Sequence, residues 1–438
     1  MPETVTSPAA AATASDDVVL EVRDLAKSYP VRQGVVLKRT VGQVQAVDGV
    51  SLALRRGRTL GLVGESGSGK STLARVLVGI EKPTRGQVLV DGEDVSTMSR
   101  AARRELRRNV QMVFQDPYTS LNPRMSVGEI VAEPFRIHPD AVPAGGRRRA
   151  VAELLELVGL DPDHAHRYPH QFSGGQRQRV GIARALAVKP RVLVCDEPVS
   201  ALDVSVQGQV INLLEDLQDE LGLAYLFIAH DLAVVQHIAD EVAVMYLGRV
   251  VEEGDRPSVY DDAHHPYTQA LLSAVPVPDP TARRDDELML EGDPPSPADP
   301  PSGCRFHTRC WLARRLAAEE GVSGDGPDDV PARCRTEDPV LVPLGRPDGV
   351  GDAGPRRDAA TGPHAAACHF AREAAAFGGH PTAGSAASAG RPAVPADHDA
   401  EHDAAPDTEH DPDDHGPGGD APVPETVPDH SVLESRER

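Results

Sequence analysis

The octapeptide GESGSGKS at residues 64–71 has the residue types and spacing of a site for phosphate groups. It fits the pattern G-x-x-x-x-G-K-[ST] and lies between an apolar run, residues 60–63, and a helix-compatible run, residues 71–77. In such a loop successive backbone N–H groups point at one anion, and the helix N-terminus adds partial positive charge. A Gly/Ser-rich turn that binds nothing is the alternative. The strand–loop–helix context favours a phosphate-binding loop.

Each part of this loop has a predicted role. Lys70 is expected to reach the β- and γ-phosphates of a nucleotide, and the Ser71 hydroxyl to bind Mg²⁺. The predicted nucleotide site comprises Gly64, Glu65, Ser66, Gly67, Ser68, Gly69, Lys70, Ser71 and Thr72.

Two further segments could act on the same ligand. An apolar strand at residues 192–195 ends in Asp196 and Glu197. Asp196 suits the Mg²⁺ shell, and Glu197 suits a general base that polarises the attacking water. Taken alone, this pattern favours a strand followed by a solvated acidic turn; together with Lys70 it favours catalysis, because strand ends beside a phosphate loop present ligand-binding groups.

The segment FSGGQ at residues 172–176 precedes a helix-compatible run with several arginines. Ser173 can cap that helix and bind phosphate, and the two glycines allow close backbone approach. A simple helix cap explains the segment equally well.

SGGQ followed by VCDEP at residues 194–198 resembles the signature of the ATP-binding cassette (ABC) ATPases. The resemblance covers roughly residues 18–275, with seven elements in the family's order. It implies catalytic roles for Glu197, Gln115 and His230, an Mg²⁺ shell of Ser71, Gln115 and Asp196, and ATP contacts from Tyr29, Ser173, Gly174, Gly175, Gln176 and Asp203. Each has an ordinary alternative: Tyr29 an edge-strand aromatic, Gln115 a surface polar residue, His230 a structural histidine.

The resemblance also implies an architecture and a mechanism. The expected fold is α/β, with a RecA-like core, an antiparallel β subdomain and a helical subdomain at about residues 116–190. In this family ATP lies between the phosphate loop of one subunit and the SGGQ of another. A single cassette therefore needs a second ATPase subunit, homologous or identical.

The elements that would position these residues follow from periodicity. Short apolar strands alternate with helical patterns, which predicts an α/β fold with a largely parallel sheet. Asp91-Gly92 predicts a hairpin within residues 86–95. Residues 123–190 show helical periodicity, and Val206–Glu220 an amphipathic helix. We expect an irregular inserted loop at residues 31–45.

Composition sets the ends of the folded part. Residues 1–17 and 371–438 are predicted to be disordered, the latter because almost no large apolar residue occurs there. Formal net charge is −22, and the last 42 residues contribute −12 of it. This acidity argues against a nucleic-acid partner. The sequence has no 18-residue apolar run and no signal-peptide pattern at its start, which predicts a cytoplasmic protein without a membrane span of its own.

Several segments narrow the family. FQDPYTSLNPR at residues 114–124, EPVSALDVSVQ at residues 197–207 and HPYTQALL at residues 265–272 resemble the ATPase subunits of oligopeptide/dipeptide importers. Related importers, including those for nickel, share these features; a soluble ABC ATPase that acts on DNA or ribosomes is a further alternative. The resemblance implies two transmembrane permease subunits, a solute-binding protein that delivers the solute, and a location on the cytoplasmic face of the membrane.

Four of the five cysteines form a last pattern in the predicted extension at residues 276–370. Cys304, Cys310, Cys334 and Cys368 resemble the cysteines of the importer ATPases' C-terminal extension, which is associated with an iron–sulfur cluster. Four thiolates suit a soft metal or a [4Fe-4S] cluster. Four reduced cytosolic thiols are the alternative. Trp311 and the long gaps after it depart from the family's pattern, whereas Cys195 is expected in the core.

Overall fold

The protein is described from a computed structural model. The structure describes residues 17–33, 39–95, 98–275, 288, 290, 292–319, 329–344 and 363–377, all within one compact unit. The tails that we predicted to be disordered lie outside these residues, except for Asp17 and residues 371–377.

Twelve strands and thirteen α-helices occur in the described residues. The strands are β1 Val18–Gln33, β2 Arg39–Arg55, β3 Thr59–Val63, β4 Arg85–Val90, β5 Glu93–Asp94, β6 Val110–Val113, β7 Val192–Asp196, β8 Ala224–Ala229, β9 Glu241–Tyr246, β10 Arg249–Asp255, β11 Val342–Pro343 and β12 Ala365–Ala366. The helices are α1 Lys70–Leu77, α2 Arg100–Asn109, α3 Val127–Val131, α4 Glu133–Ile137, α5 Gly146–Leu157, α6 Gly174–Leu186, α7 Val204–Leu221, α8 Leu232–Ile238, α9 Arg256–Asp261, α10 Pro266–Ser273, α11 Trp311–Glu319, α12 Ala332–Thr336 and α13 Ala371–Phe377.

The larger sheet has eight strands in the order β11-β12-β10-β9-β3-β8-β7-β6. Its section from β6 to β9 is parallel, as the alternating pattern predicts. Alternate side chains of one strand enter two different apolar cores: Leu193 and Cys195 enter one, and Val192 and Val194 the other. Burial on both faces explains why these strands are continuously apolar. The α/β fold is therefore confirmed.

The smaller sheet is antiparallel, in the order β2-β1-β4-β5. At its edge, β4 and β5 form the predicted hairpin, since Val90 pairs with Glu93 across Asp91 and Gly92. Both turn residues have positive φ, 51° and 80°, which is the conformation of a type I′ turn.

The prediction of an irregular loop at residues 31–45 is wrong for residues 31–33 and 39–45, which the structure describes. There β1 and β2 continue as a paired ribbon, in which Tyr29 is opposite Val44 and Val31 is opposite Gly42. Val41 in this ribbon is 55% exposed. A ribbon that buries few side chains needs no apolar alternation, because cross-strand backbone hydrogen bonds form whatever the side chains are. Residues 31–33 and 39–45 therefore lack a hydrophobic pattern from which strands could be predicted.

All regular elements between β6 and β7 are helical, α3 to α6 with short 3₁₀ turns. They occupy the segment in which we expected a helical subdomain. Their apolar side chains, such as Val127, Leu155 and Val180, belong to the same core as one face of the parallel sheet.

The C-terminal extension packs onto the cassette, and its predicted end at residue 370 is too early. Helix α13 follows that residue, and its Ala374 is completely buried. The Gln269 side chain, in α10, donates to the Ala374 carbonyl at 2.8 Å. Small alanine side chains can be buried when a neighbouring side chain hydrogen-bonds to the helix backbone. The disorder prediction relied on the scarcity of large apolar residues and therefore missed this helix.

Candidate active site at the carboxyl edge of the parallel strands

The phosphate loop leaves β3 at Gly64 and enters α1 at Lys70. Two of its glycines approach other backbone segments closely. A Cβ on Gly64 would lie 2.1 Å from the Met245 carbonyl oxygen, and one on Gly69 would lie 2.0 Å from that of Ala46. Their φ values, 152° and 106°, are also unfavourable for other residues. The loop is thus a backbone cradle in which side chains at these positions are excluded.

Lys70 lies inside this cradle and is 4% exposed. Its Nζ donates to the carbonyl oxygens of Gly64 at 2.6 Å and Glu65 at 2.9 Å. Burial lowers the pKa of Lys70, and the nearby carboxylates of Glu197, Asp196 and Glu65 oppose that shift. The ammonium is therefore held within the loop's curve, where the predicted β- and γ-phosphates would lie.

Ser71 and Asp196 bring two oxygen ligands together. The Ser71 hydroxyl, in the first turn of α1, donates to Asp196 Oδ1 at the end of β7, at 3.0 Å. Asp196 is 5% exposed; burial raises its pKa, and the bond from Ser71 opposes this shift. A buried carboxylate beside a hydroxyl is a donor set that Mg²⁺ accepts. The residues present therefore fit the predicted ion.

Glu197 lies at the centre of the predicted catalytic group. Gln115, which follows β6, donates from Nε2 to Glu197 Oε2 at 2.8 Å, and His230 Nδ1, which follows β8, is 3.5 Å from the same oxygen. Glu197 itself has a positive φ of 45°, although it is not glycine. Such backbone costs on the order of 1–3 kcal/mol and persists where the surroundings enforce it. The Glu197 amide donates to the Ile228 carbonyl at 3.0 Å, which fixes this turn against β8.

The predicted catalytic residues are thus brought together from four adjacent parallel strands. The phosphate loop follows β3, Gln115 follows β6, Asp196 ends β7, and His230 follows β8. Parallel strands end at the same edge of a sheet, which is where such sheets bind ligands.

The SGGQ segment forms the N-terminal cap of α6. The Ser173 hydroxyl accepts from the Gln176 amide at 3.3 Å, and the Gln176 side chain accepts from the Ser173 amide at 3.1 Å. A Cβ on Gly175 would lie 2.4 Å from Val206 Cγ1, and one on Gly174 would lie 3.1 Å from Leu202 Cδ2. The two glycines therefore let the segment pack against the start of α7, which Asp203 precedes.

Tyr29 lies on β1 next to the phosphate-loop helix. Its hydroxyl donates to the Glu81 carboxylate and also bonds the Thr72 side chain, in α1. The ammonium of Lys27 lies 4.9 Å from the centre of the ring. Burial and the bond to Glu81 raise the pKa of Tyr29. The structure therefore places this aromatic ring beside α1, the helix that follows the phosphate loop.

Comparison with known proteins identifies the family to which the chain belongs. The family model "ABC transporter" matches residues 47–200, and "Oligopeptide/dipeptide transporter, C-terminal region" matches residues 251–315. The oligopeptide transport ATP-binding protein AppF of Bacillus subtilis is 53% identical over 312 residues, covering 70% of this chain and 93% of AppF. The chain belongs to the ABC transporter ATP-binding family.

Other members of the family have similar sequence identity to this chain. The oligopeptide transport ATP-binding protein OppF of Salmonella typhimurium is 51% identical, covering 74% of this chain and 97% of OppF. The di/tripeptide transport ATP-binding protein DppF of Pseudomonas aeruginosa is 50% identical, covering 74% and 94%. As a member of this family, the chain binds ATP, typically with Mg²⁺, and hydrolyses it.

Two residues that contact the phosphate loop were not predicted from the sequence. Tyr267, in α10, accepts the Glu65 amide on its hydroxyl at 2.8 Å. Arg309, from the extension, pairs with both carboxylate oxygens of Glu65 at 2.7 and 3.0 Å. Tyr267 lies in the HPYTQALL segment that the sequence analysis recognised without giving it a role. Nothing in the sequence around Arg309 predicts this contact except the position of Arg309 between two cysteines.

The four cysteines of the cassette's extension line one cavity, together with His265, Phe306 and Phe370. Burial raises the pKa of Cys304 to about 11 and that of Cys368 to about 12, and it also raises those of Cys310 and Cys334. Backbone amides bond two of the sulfurs, Ala313 N to Cys310 Sγ and Phe370 N to Cys368 Sγ, each at 3.4 Å. The fifth, Cys195, lies in the core of β7, as predicted.

No helix in the described ranges is both long enough and apolar enough to cross a bilayer.

Proposed function

We propose that this chain is the subunit that uses ATP hydrolysis to energise import of oligopeptides or dipeptides through a membrane ABC transporter. The observation that carries the proposal is the convergence of Lys70, Ser71, Asp196 and Glu197 at one sheet edge, in a chain that also carries the peptide-transporter C-terminal region. The relatives named above are oligopeptide and di/tripeptide transport ATP-binding proteins.

The proposed roles follow from the positions of the side chains. Glu197 accepts a proton from the water that attacks the γ-phosphate, and Gln115 orients the Glu197 carboxylate through its 2.8 Å bond. His230, exposed beside the same oxygen, contacts the γ-phosphate. Ser71, Asp196 and Gln115 hold Mg²⁺, which when bound neutralises charge on the phosphates. Tyr29 contacts the adenine.

The complete site needs two cassettes. Ser173, Gly174, Gly175, Gln176 and Asp203 contribute contacts to the ATP bound by the phosphate loop of a second ATPase subunit. This interpretation is supported by the geometry of the SGGQ segment, which caps α6 and packs against the start of α7. The pair docks on two transmembrane permease subunits at the cytoplasmic face of the membrane, and a solute-binding protein supplies the peptide.

Substitution of Glu197 tests the catalytic assignment. Glu197→Gln should lower the ATP turnover number by about 10²- to 10⁴-fold, since that is what a general base contributes. ATP affinity should stay at the wild-type value, because Lys70 and Ser71 are unchanged. Glu153→Gln, which alters an exposed carboxylate in α5, is the matched control. Turnover by Glu197→Gln within twofold of that control would refute the role of Glu197.

Capture of partners tests the transport assignment. Glu197→Gln should hold the ATP-bound pair together, so affinity purification from detergent-solubilised cells with ATP should recover permease subunits and a second cassette. Mass spectrometry of the captured proteins gives the answer. Recovery of DNA-repair or ribosomal proteins without any permease would leave the ATPase assignment intact and refute the importer.

We also propose that Cys304, Cys310, Cys334 and Cys368 hold a [4Fe-4S] cluster. All four line one cavity, and two sulfurs accept backbone N–H bonds. Thiolates around a single zinc ion lie about 3.8 Å apart, given Zn–S bonds of ~2.3 Å. In the described part of the chain, the only three His, Cys, Asp or Glu ligand atoms within 4.8 Å of one another are not from cysteines. The wider spacing favours a cluster over one zinc ion.

Anaerobic reconstitution with iron and sulfide tests the cluster. The wild-type chain should bind four irons and show the broad visible absorption of an iron–sulfur chromophore. Cys310→Ser should lose most of that iron, whereas Cys195→Ala, outside the cavity, should keep it. A wild-type chain that takes up no iron, with circular dichroism showing that it is folded, would refute the cluster.

A further inference from the structure

The loop between α9 and α10 and the segment before β12 bring three potential metal ligands together. Asp262 follows α9, His264 precedes α10 by two residues, and His364 stands just before β12. One ligand atom from each lies within 4.8 Å of the others, the closest such grouping in the part of the chain that the structure describes. The rings of His264 and His364 meet nearly at right angles, with centroids 5.2 Å apart.

The hydrogen bonds of the His264 ring show which of its nitrogens carries a lone pair that could bind a metal ion. Its Nδ1 lies 3.0 Å from the Ala371 carbonyl oxygen, which can only accept, so Nδ1 carries a hydrogen. In the neutral ring Nε2 then carries a lone pair, and it faces Asp262 Oδ2 at 3.2 Å. Two acceptors this close repel each other unless a cation joins them. That cation is either a proton on His264 or a metal ion.

His364 is oriented in the same way by a buried carboxylate. Its Nε2 lies 2.9 Å from Glu252 Oε1, which leaves Nδ1 as the nitrogen with a lone pair. Glu252 is completely buried, and it also accepts the amides of His264 at 2.6 Å and His265 at 3.1 Å. A carboxylate or carbonyl behind each imidazole is the arrangement that fixes histidine ligands around metal ions.

We propose that Asp262, His264 and His364 bind a divalent transition-metal ion, Zn²⁺ by preference, at a site separate from the cysteines. Two imidazole nitrogens and one carboxylate oxygen suit zinc, with water in the fourth position. The Asp262 side chain is 61% exposed and the histidines are 14% and 11% exposed, so the ion enters from solvent while the imidazoles stay fixed.

The position gives the metal a structural consequence. Asp262 and His264 belong to the cassette, whereas His364 belongs to the extension, and α13 contributes the Ala371 carbonyl behind His264. Zinc would therefore join the extension to the cassette, beside the helix whose Tyr267 bonds the nucleotide loop. Metal binding should stabilise the folded chain by mass action.

Cobalt(II) titration of the full-length, metal-free chain tests the site, because cobalt reports its ligands by absorption. Thiolate ligands give intense charge-transfer bands, whereas nitrogen and oxygen ligands give only weak d–d bands. We expect one cobalt with nitrogen/oxygen bands, separate from the thiolate bands of any cobalt at the four cysteines, and Zn²⁺ should displace it. Asp262→Asn should weaken this binding by at least the roughly 10- to 100-fold that loss of an outer-shell partner costs, and His264→Gln should do the same.

Asp261→Asn removes the neighbouring exposed carboxylate, which is not in the group, and should bind cobalt like the wild type. Asp262 is exposed, so its substitution should leave the fold intact, and circular dichroism checks this. Equal cobalt affinity in the wild type, Asp262→Asn and His264→Gln would overturn the site. So would a wild-type chain whose only cobalt bands come from thiolates, in which case Asp262 and protonated His264 form an ion pair.

Discussion

At the residue scale, the nucleotide loop shows how a few backbone positions decide the site. Gly64 and Gly69 approach the carbonyls of Met245 and Ala46 so closely that no other residue fits. Gly67, in the same loop, has a positive φ of 81°, but a Cβ added there would meet no atom within 4 Å. The three glycines belong to one sequence motif but are required for different reasons: close backbone contacts at Gly64 and Gly69, and a positive φ alone at Gly67.

Substitution by alanine separates these reasons. Both Gly64→Ala and Gly67→Ala place a side chain at positive φ, which costs on the order of 1–3 kcal/mol. Only Gly64→Ala adds a contact of 2.1 Å with backbone. We expect Gly64→Ala to lower the free energy of unfolding by clearly more than Gly67→Ala does, in urea titrations without nucleotide. Equal losses would mean that the close approach at Met245 does not constrain the loop.

At the element scale, one carboxylate joins the two sheets and the extension. Asp48, in β2, accepts from Arg249 of β10 at 2.8 and 3.0 Å and from Arg305 of the extension at 2.5 Å. Burial by itself would raise the pKa of Asp48, but the two guanidinium groups outweigh it and the pKa is lowered.

Removal of this charge should destabilise the protein in a pH-dependent way. Asp48→Asn should lower the free energy of unfolding by about 2 kcal/mol at pH 7, the order expected for bonds to a charged, partly buried group. Because the folded pKa lies below the ordinary 3.8, this contribution is complete above that pH and is lost as pH falls through the folded value.

Urea titrations between pH 7 and pH 3 measure the difference between wild type and Asp48→Asn. Glu153→Gln, at a 54% exposed carboxylate that pairs with Arg149, is the control and should cost under about 1 kcal/mol. A difference between wild type and Asp48→Asn that grows as the solution is acidified would contradict the assignment.

At the scale of the whole molecule, the extension is connected to the nucleotide loop. Arg309, 6% exposed, places its guanidinium on the carboxylate of Glu65. Burial lowers the pKa of Arg309, but the bonds to the Glu65 carboxylate and the nearby Tyr246 outweigh it and the pKa is raised. The guanidinium therefore stays charged, and the segment between Cys304 and Cys310 that carries it contacts the loop that is predicted to bind ATP.

A double-mutant cycle measures this connection. Arg309→Gln and Glu65→Gln should each raise the KM for ATP several-fold with a smaller effect on kcat, because they loosen the loop rather than remove the base. The double variant should lose less than the sum, with a coupling of about 0.5–3 kcal/mol. Arg333→Gln, at an exposed pair in α12, is the control. Strict additivity would show that the two side chains do not act together.

The sequence by itself determined the cassette and the residues at its centre. Lys70, Ser71, Asp196 and Glu197 lie in short segments whose local pattern, a strand followed by a polar turn, already predicts where the side chains stand. Parallel strands must end at one sheet edge, so the meeting of those segments followed from the fold class alone. Their catalytic roles remain predictions that the Glu197 experiment addresses.

Tertiary structure alone decided the contacts between distant, weakly patterned segments. The part of the β1–β2 ribbon at residues 31–33 and 39–45 has no apolar alternation, and α13 has small side chains, so neither could be recognised by periodicity. Arg309 meets Glu65 across 244 residues of chain, and His364 lies near His264 only because β12 adds to the edge of the sheet at β10. Such pairings depend on how the whole chain packs, and no local pattern of residues encodes them.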